Sequence, residues 1–180
     1  MGAVYEFEKE KLIMGVIYHD KEILDKAMSI LVSEFGEIEA VSEEFSFSEE
    51  FSTYYDNEIG GEGFRRIYSF KELVDPARQA DIKIRTNEIE AEFSIDGNRK
   101  INLDPGFINH GRLMLPTTKE TGFRVPLKNG IYTELTLFWA RGGWQKFPWS
   151  YRDYQSERVQ KFITEVRKSY LAERRKNITK

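Results

Sequence analysis

The chain contains no cysteine. That absence excludes a disulfide framework, a thiolate nucleophile and a cysteine zinc site, and it fits a reducing compartment. Histidine is nearly as scarce, and His19 and His110 lie far apart, which argues against a histidine-rich metal centre. No apolar run approaches the roughly 20 residues needed to span a bilayer. The opening MGAVYEFEKEKLIMGVIYHD sets acidic residues ahead of one short apolar run, without the basic region and long apolar stretch of a signal peptide. A cytoplasmic protein with no membrane partner is therefore expected, and Asn177-Ile178-Thr179 then matches a glycosylation acceptor only by chance.

Positive charge is missing from one region. Between Lys26 and Arg65 there is no Lys or Arg, only acids, whereas from Arg141 onward basic residues outnumber acidic ones. Two halves folding side by side would complement each other; the alternative is a basic C-terminal face for phosphates. With a net charge of −3, a protein that coats nucleic acid is not expected.

What is present describes a packed domain. The 180 residues are 40% hydrophobic, 14% aromatic and 32% charged, which suits a single domain that buries about 70% of its unfolded surface. Lys11–Tyr18 reads as a buried first strand. Asp20 can cap a helix over residues 21–35, where Ile23, Leu24, Ala27, Met28, Leu31 and Phe35 recur at helical spacing and Gly36 ends the run. Ile38–Phe47 and Phe64–Phe70 alternate as strands, separated over residues 48–63 by a polar, tyrosine-bearing and glycine-bearing loop that could carry a short helical turn. Asp75-Pro76 opens a helix that extends to about Ser94, with a break near Ile82 as an alternative because Ile82-Lys83-Ile84 also permits a strand.

Ile95-Asp96-Gly97-Asn98 forms a turn, Lys100–Leu103 a short strand, and Asp104-Pro105-Gly106 turns the chain again. Leu113–Leu115 can pair as another strand. Lys128-Asn129-Gly130 between alternating runs predicts a hairpin of Phe123–Leu127 with Ile131–Trp139. In the second arm Ile131, Thr133, Leu135, Leu137 and Trp139 face one way, and Tyr132, Glu134, Thr136 and Phe138 the other. The aromatic segment WQKFPWSYRDY, Trp144–Tyr154, drapes over the core or offers a stacking platform for a base or sugar. Ser156 caps a last helix striped by Val159, Phe162, Ile163, Val166 and Tyr170. The order of elements predicts an α+β fold: a mainly antiparallel sheet with a ferredoxin-like start, extended by a meander over residues 112–139, with helices packed on it.

Candidate polar residues concentrate between Lys100 and Trp139. Asn102, Asp104, His110 and Arg112 lie close in sequence to Thr117, Thr118 and Lys119, where hydroxyls and an ammonium could cradle an anion. Asp104 could equally cap its own turn. Asn87 and Glu90 share a helical face beside Thr86, which is either a solvated face or part of a site. Glu134 is either solvent-exposed or the floor of a polar site, and Tyr54, Tyr55 and Glu58 could edge a pocket from their loop. Asp104, Glu134 and Glu90 could form an oxygen-only magnesium site. There is no nucleophile elbow, no HExxH and no dinucleotide fingerprint, and Gly60-Gly61-Glu62-Gly63 has neither the spacing nor the lysine of a phosphate loop.

Several segments, KLIMGVIYHD, TYYDNEIGG, ADIKIRTNEIE, NLDPGFI with LMLPTTK, GIYTELTL and FPWSYRDY, together resemble a bacterial family of small single-domain proteins, domain of unknown function 4416, over nearly the whole length. The resemblance implies that Tyr54, Tyr55, Glu58, Lys83, Thr86 and Asn87 match the family pattern. It implies the same of Glu90, Asn102, Asp104, Thr117, Thr118 and Lys119. It supplies no reaction and no cofactor. Three readings follow: a binding or accessory domain for a small phosphorylated or otherwise anionic ligand; a magnesium-dependent enzyme acting on a nucleotide or phosphate-containing substrate; or a structural module that docks through its aromatic segment and basic last helix.

Overall fold

The computed structural model describes residues 2–178. The glycosylation-like tripeptide reaches Thr179, outside the described residues. Strand β1 spans Glu10–Tyr18 and is buried at every position. Helix α1 (Lys21–Phe35) starts where the Asp20 carboxylate accepts the Glu22 N–H, 2.8 Å away, and stops at Gly36 with φ 95°. Strand β2 (Ile38–Val41) and the short β3 (Phe45–Ser46) follow, then two single helical turns, α2 (Phe47–Glu50) and α3 (Asp56–Ile59), and the long β4 (Phe64–Val74). Asp75 caps a 3-10 turn at Pro76–Arg78 that leads into α4 (Gln79–Glu92) and the small hairpin β5 (Ser94–Ile95) and β6 (Asn98–Arg99). The chain continues through β7 (Ile101–Ile108), β8 (Arg112–Thr117), β9 (Val125–Pro126), β10 (Tyr132–Ala140) and β11 (Gly143–Lys146) to α5 (Glu157–Ile178).

A mixed α+β architecture results. Nine strands form one antiparallel sheet in the order β11-β10-β8-β7-β1-β4-β2, with β3 on β4 and β9 on β10. Because successive side chains of β1 point to opposite faces, Leu12, Met14, Val16 and Tyr18 pack with α1 and α4, while Ile13 packs with α5. Both faces of the central strand are therefore covered. The α5 layer contributes Val159, Ile163 and Val166, and it also buries Trp144 and Tyr154 from the aromatic segment.

Helix α4 forms as expected and runs unbroken through Ile82, because Ile82 and Ile89 both face the core. Three details depart from the sequence reading. The second strand divides into β2 and β3, and residue 47 already starts a helical turn. The alternation expected along β10 fails at a register shift between Leu135 and Leu137, which pair with the adjacent Met114 and Leu113; Leu137 enters the core and Leu135 is only half-buried. Most consequentially, Asp104-Pro105-Gly106 is no turn but the middle of β7, paired with Gly15, Met14 and Ile13 of β1. Proline is tolerated there because β8 pairs with β7 only at Phe107 and Ile108 and then diverges, leaving the far side of β7 without a strand at Pro105. Gly106 fits because a Cβ would meet Ile13 Cγ1 at 2.8 Å and Leu115 Cδ2 at 2.9 Å.

The hairpin at Asn129-Gly130 forms as expected, both residues having positive φ, although its first arm contracts to Val125–Pro126.

Candidate functional site

The divergence of β8 from β7 opens a split inside the sheet, and α4 fills its edge. Alternate residues of an antiparallel strand direct their N–H and C=O to the same side. Leu103, two residues before Pro105, directs both away from β1: its N–H donates to Glu90 Oε1 at 2.6 Å, and its carbonyl accepts from Lys83 Nζ at 2.9 Å. Side chains about two helical turns apart on one face of α4 thus replace the missing strand. That role explains the buried Lys83 and Glu90 of α4; the buried Gln79 and Thr86 on the same helix are satisfied instead by the Thr133 hydroxyl and the Lys83 carbonyl.

A cavity of about 120 Å³ lies at this split. From the α5 side, Arg65 enters on β4 and crosses Gly15 of β1. An added Cβ on Gly15 would lie 2.6 Å from Arg65 Nη2, so a side chain there would have to displace the guanidinium. Arg65 is 2% exposed and stands 3.4 Å from Asp104 Oδ2 and 3.1 Å from Asp153 Oδ2, between the rings of Phe47 and Tyr154. From the α4 side, Lys83 Nζ approaches Asp104 Oδ1 at 3.7 Å; Asn102, on the same face of β7 as Asp104, donates to Asp104 Oδ2 at 2.7 Å.

Burial opposes ionisation of Asp104, but the charges of Lys83 and Arg65 and the Asn102 hydrogen bond outweigh it and hold this carboxyl below its ordinary range. Asp153 goes the other way, its burial exceeding the pull of Arg65. Burial likewise raises Glu90, against Lys83, the Leu103 N–H and Arg99. Arg65 stays charged despite its burial because Asp153 and Asp104 flank it. Burial and the Asp104 charge push the Tyr55 hydroxyl up.

The sequence candidates divide between lining and support. Tyr55, Asn87, Asn102 and Asp104 line the cavity, as do Thr117, Thr118 and Lys119. Antiparallel pairing accounts for this: it returns the end of β8 to the Asp104 region, and it carries His110 and Arg112 to the opposite hairpin end, where Arg112 pairs with Glu10 at 2.6 Å. Glu58 and Glu90 stand behind the wall and hold Arg99 at 2.6 and 2.8 Å, while the buried Thr86 hydroxyl donates to the Lys83 carbonyl. Tyr54 is exposed and meets Lys119, whose Nζ lies 5.4 Å from its ring centre.

Glu134 is neither exposed nor lining. It is 1% exposed and receives Arg124 Nε at 2.8 Å. The same guanidinium donates to the Lys119 carbonyl at 2.7 Å and to the Tyr151 hydroxyl at 3.1 Å, so Glu134 reaches the cavity wall through Arg124. Burial and the Glu134 charge push Tyr151 up to about 12. The carboxylates of Glu90 and Glu134 are each committed to an arginine, and among the described residues no group of three His, Cys, Asp or Glu side chains could hold a metal ion. The trio of Asp104, Glu134 and Glu90 therefore does not form a cage. Nor does the aromatic segment offer a bare platform: Trp149 is stacked between Phe123 at 4.8 Å and Phe147 at 4.9 Å.

Sequence reasoning missed Arg65, Arg99, Arg124, Tyr151 and Asp153. Arg65 alone left a trace, a charge within the alternating FRRIYSF. Arg99 belongs to the two-residue strand β6, too short to show alternation, and the others lie in turns or coil, where spacing carries no facing information.

A family model described as Domain of unknown function (DUF4416) matches residues 8–170. No curated protein and no solved structure matches the chain.

Proposed function

We propose, from the premise that the chain belongs to the DUF4416 family, that the cavity beside Asp104 binds a small anionic ligand and that the protein serves as a binding or accessory domain. One observation carries this reading: uncommitted polar groups converge on the cavity. Among the described residues Lys119 has no carboxylate partner, and the side chains of Asn87, Thr118 and the Tyr55 hydroxyl make no hydrogen bond, although all four line the same space. Away from the cavity Thr133 finds Gln79 at 2.8 Å and Asn109 finds Glu10 at 2.8 Å, while unpartnered buried hydroxyls such as those of Ser69 and Tyr170 are scattered singly and not gathered around one space. Polar groups collected around a concavity without mutual partners are characteristic of a ligand site.

Lys119 sets the preferred charge. Arg65 and Lys83 face Asp104 and Asp153, and Arg99 faces Glu58 and Glu90, which leaves Lys119 as the lining cation open to an external anion. The cavity of about 120 Å³ is slightly smaller than the roughly 150 Å³ that accepts one benzene ring. The enclosed part takes a single ring or one phosphate-sized group, and its open side, at the exposed Thr118 and Lys119, leaves room for a further group outside it. The cysteine-free sequence suits a cytoplasmic setting. A ferredoxin-like start is supported by the order β7-β1-β4-β2 with α1 and α4 as the crossing helices.

The test is a thermal-shift screen against inorganic phosphate, phosphate esters and small carboxylates, repeated with Lys119→Met. A ligand at 100 times its dissociation constant stabilises the native state by about 2.7 kcal/mol. We expect a shift with an anion that disappears in Lys119→Met. If every anion leaves the melting temperature of folded wild-type protein unchanged, the reading is wrong.

A further inference from the structure

Resting on the reading of the cavity as an anion site, we infer that its ligand is a single-ring sugar phosphate, with ring hydroxyls donating to Asp104 and the phosphate held at Lys119. The two oxygens of Asp104 are unequal. Oδ2 accepts from Asn102 at 2.7 Å and faces Arg65, whereas Oδ1 has only Lys83 Nζ, at 3.7 Å, beyond hydrogen-bond length. With its side chain 33% exposed, Asp104 presents an acceptor to the cavity that the protein does not saturate.

A donor is needed there, and its charge is decided by the neighbours. A ligand ammonium at Oδ1 would stand within a few ångströms of the Lys83 ammonium and near the Arg65 guanidinium, so like-charge repulsion opposes an amino acid or amine. A hydroxyl donates equally well and meets no such repulsion. Hydroxyls also accept, and the wall offers both functions: the Asn87 carboxamide donates and accepts, and the Tyr55 hydroxyl does the same. The volume admits one ring. At the other end, Thr118 and Lys119 are both exposed while lining the same space, which suits a group that keeps part of its hydration. Phosphate supplies several acceptor oxygens for an ammonium and a hydroxyl together.

Isothermal titration calorimetry on the full chain tests this with ribose 5-phosphate, glucose 6-phosphate, the 2-deoxy analogue of each, inorganic phosphate and serine. We expect at least one sugar phosphate to bind more tightly than inorganic phosphate, and its 2-deoxy analogue to lose about tenfold in affinity, the equivalent of one hydrogen bond. That comparison uses wild-type protein and does not depend on any variant folding. Asp104→Asn, checked for its own melting transition, should reduce the advantage of the sugar phosphate over inorganic phosphate and retain phosphate binding. Equal affinity for phosphate and both sugar phosphates, or binding of serine in preference to them, overturns the inference and leaves the anion site standing. Failure of every anion to bind removes the anion site itself.

Discussion

Arg65 passes close over Gly15: a Cβ on that glycine would fall 2.6 Å from Nη2, 3.0 Å from Cζ and 3.2 Å from the Tyr154 hydroxyl. The bare backbone of β1 is thus part of the channel through which a buried guanidinium reaches two aspartates. Gly15→Ala should displace Arg65 and destabilise the protein by about 1–3 kcal/mol, the usual cost of overpacking. Urea denaturation measures it. A stability equal to wild type would mean that Arg65 has another path.

Removing the guanidinium should cost more than crowding it. Arg65→Leu leaves Asp104 and the buried Asp153 without their shared counter-ion, a loss of about 3–5 kcal/mol. Lys119→Met, at an exposed cation with no carboxylate partner among the described residues, should stay within about 0.5 kcal/mol of wild type. Comparable destabilisation of the two variants in the same denaturation series would contradict the distinction between structural and available cations.

Arg124 ties the end of the Thr117–Arg124 loop to the sheet through Glu134. Arg124→Ala should leave Glu134 buried and unpaired, destabilising by about 3–5 kcal/mol, with part of that recovered by the double variant with Glu134→Gln. Hydrogen exchange should quicken first around Lys119, whose carbonyl loses its donor. Uniform exchange across the chain would indicate global unfolding instead.

Acid dependence separates the aspartates. Asp104 titrates below its ordinary 3.8, so its contribution is present above that value and is lost as the pH falls through its depressed folded pKa. Glu10, Glu90 and Asp153 are raised by burial and favour folding when protonated, an effect that fades as the pH rises through their raised pKa values. Lowering the pH from 7 towards 4.5 should therefore maintain or increase the melting temperature. The steep decline should come only below about pH 4, and a decline already complete at pH 5 would contradict these assignments.

Much of the architecture was legible because it follows local rules. Asp20 and Gly36 bracket α1, Asn129-Gly130 makes its hairpin, and the apolar stripe of α5 faces the sheet. The site was half-legible. Asn102, Asp104 and Thr117–Lys119 could be grouped because antiparallel strands return the chain on itself. The role of α4 could not, because Lys83 and Glu90 look like a solvated helix face until a strand edge is known to lie beneath them. Pro105 misled for a related reason: a proline signals a turn only if its nitrogen would otherwise face a neighbouring strand, and here that neighbour has diverged.

That divergence also bears on solubility. Strand edges are ordinarily guarded at the periphery of a sheet, by charge, twist or brevity. This protein has a further edge in the interior, at Leu103, closed only by an ammonium and a carboxylate borrowed from α4. Replacing Lys83 and Glu90 together by alanine would unplug it, presenting a free N–H and C=O on a β-rich segment to any extended chain. Such a variant should aggregate from a still largely folded state, its sheet open in the middle rather than at the border.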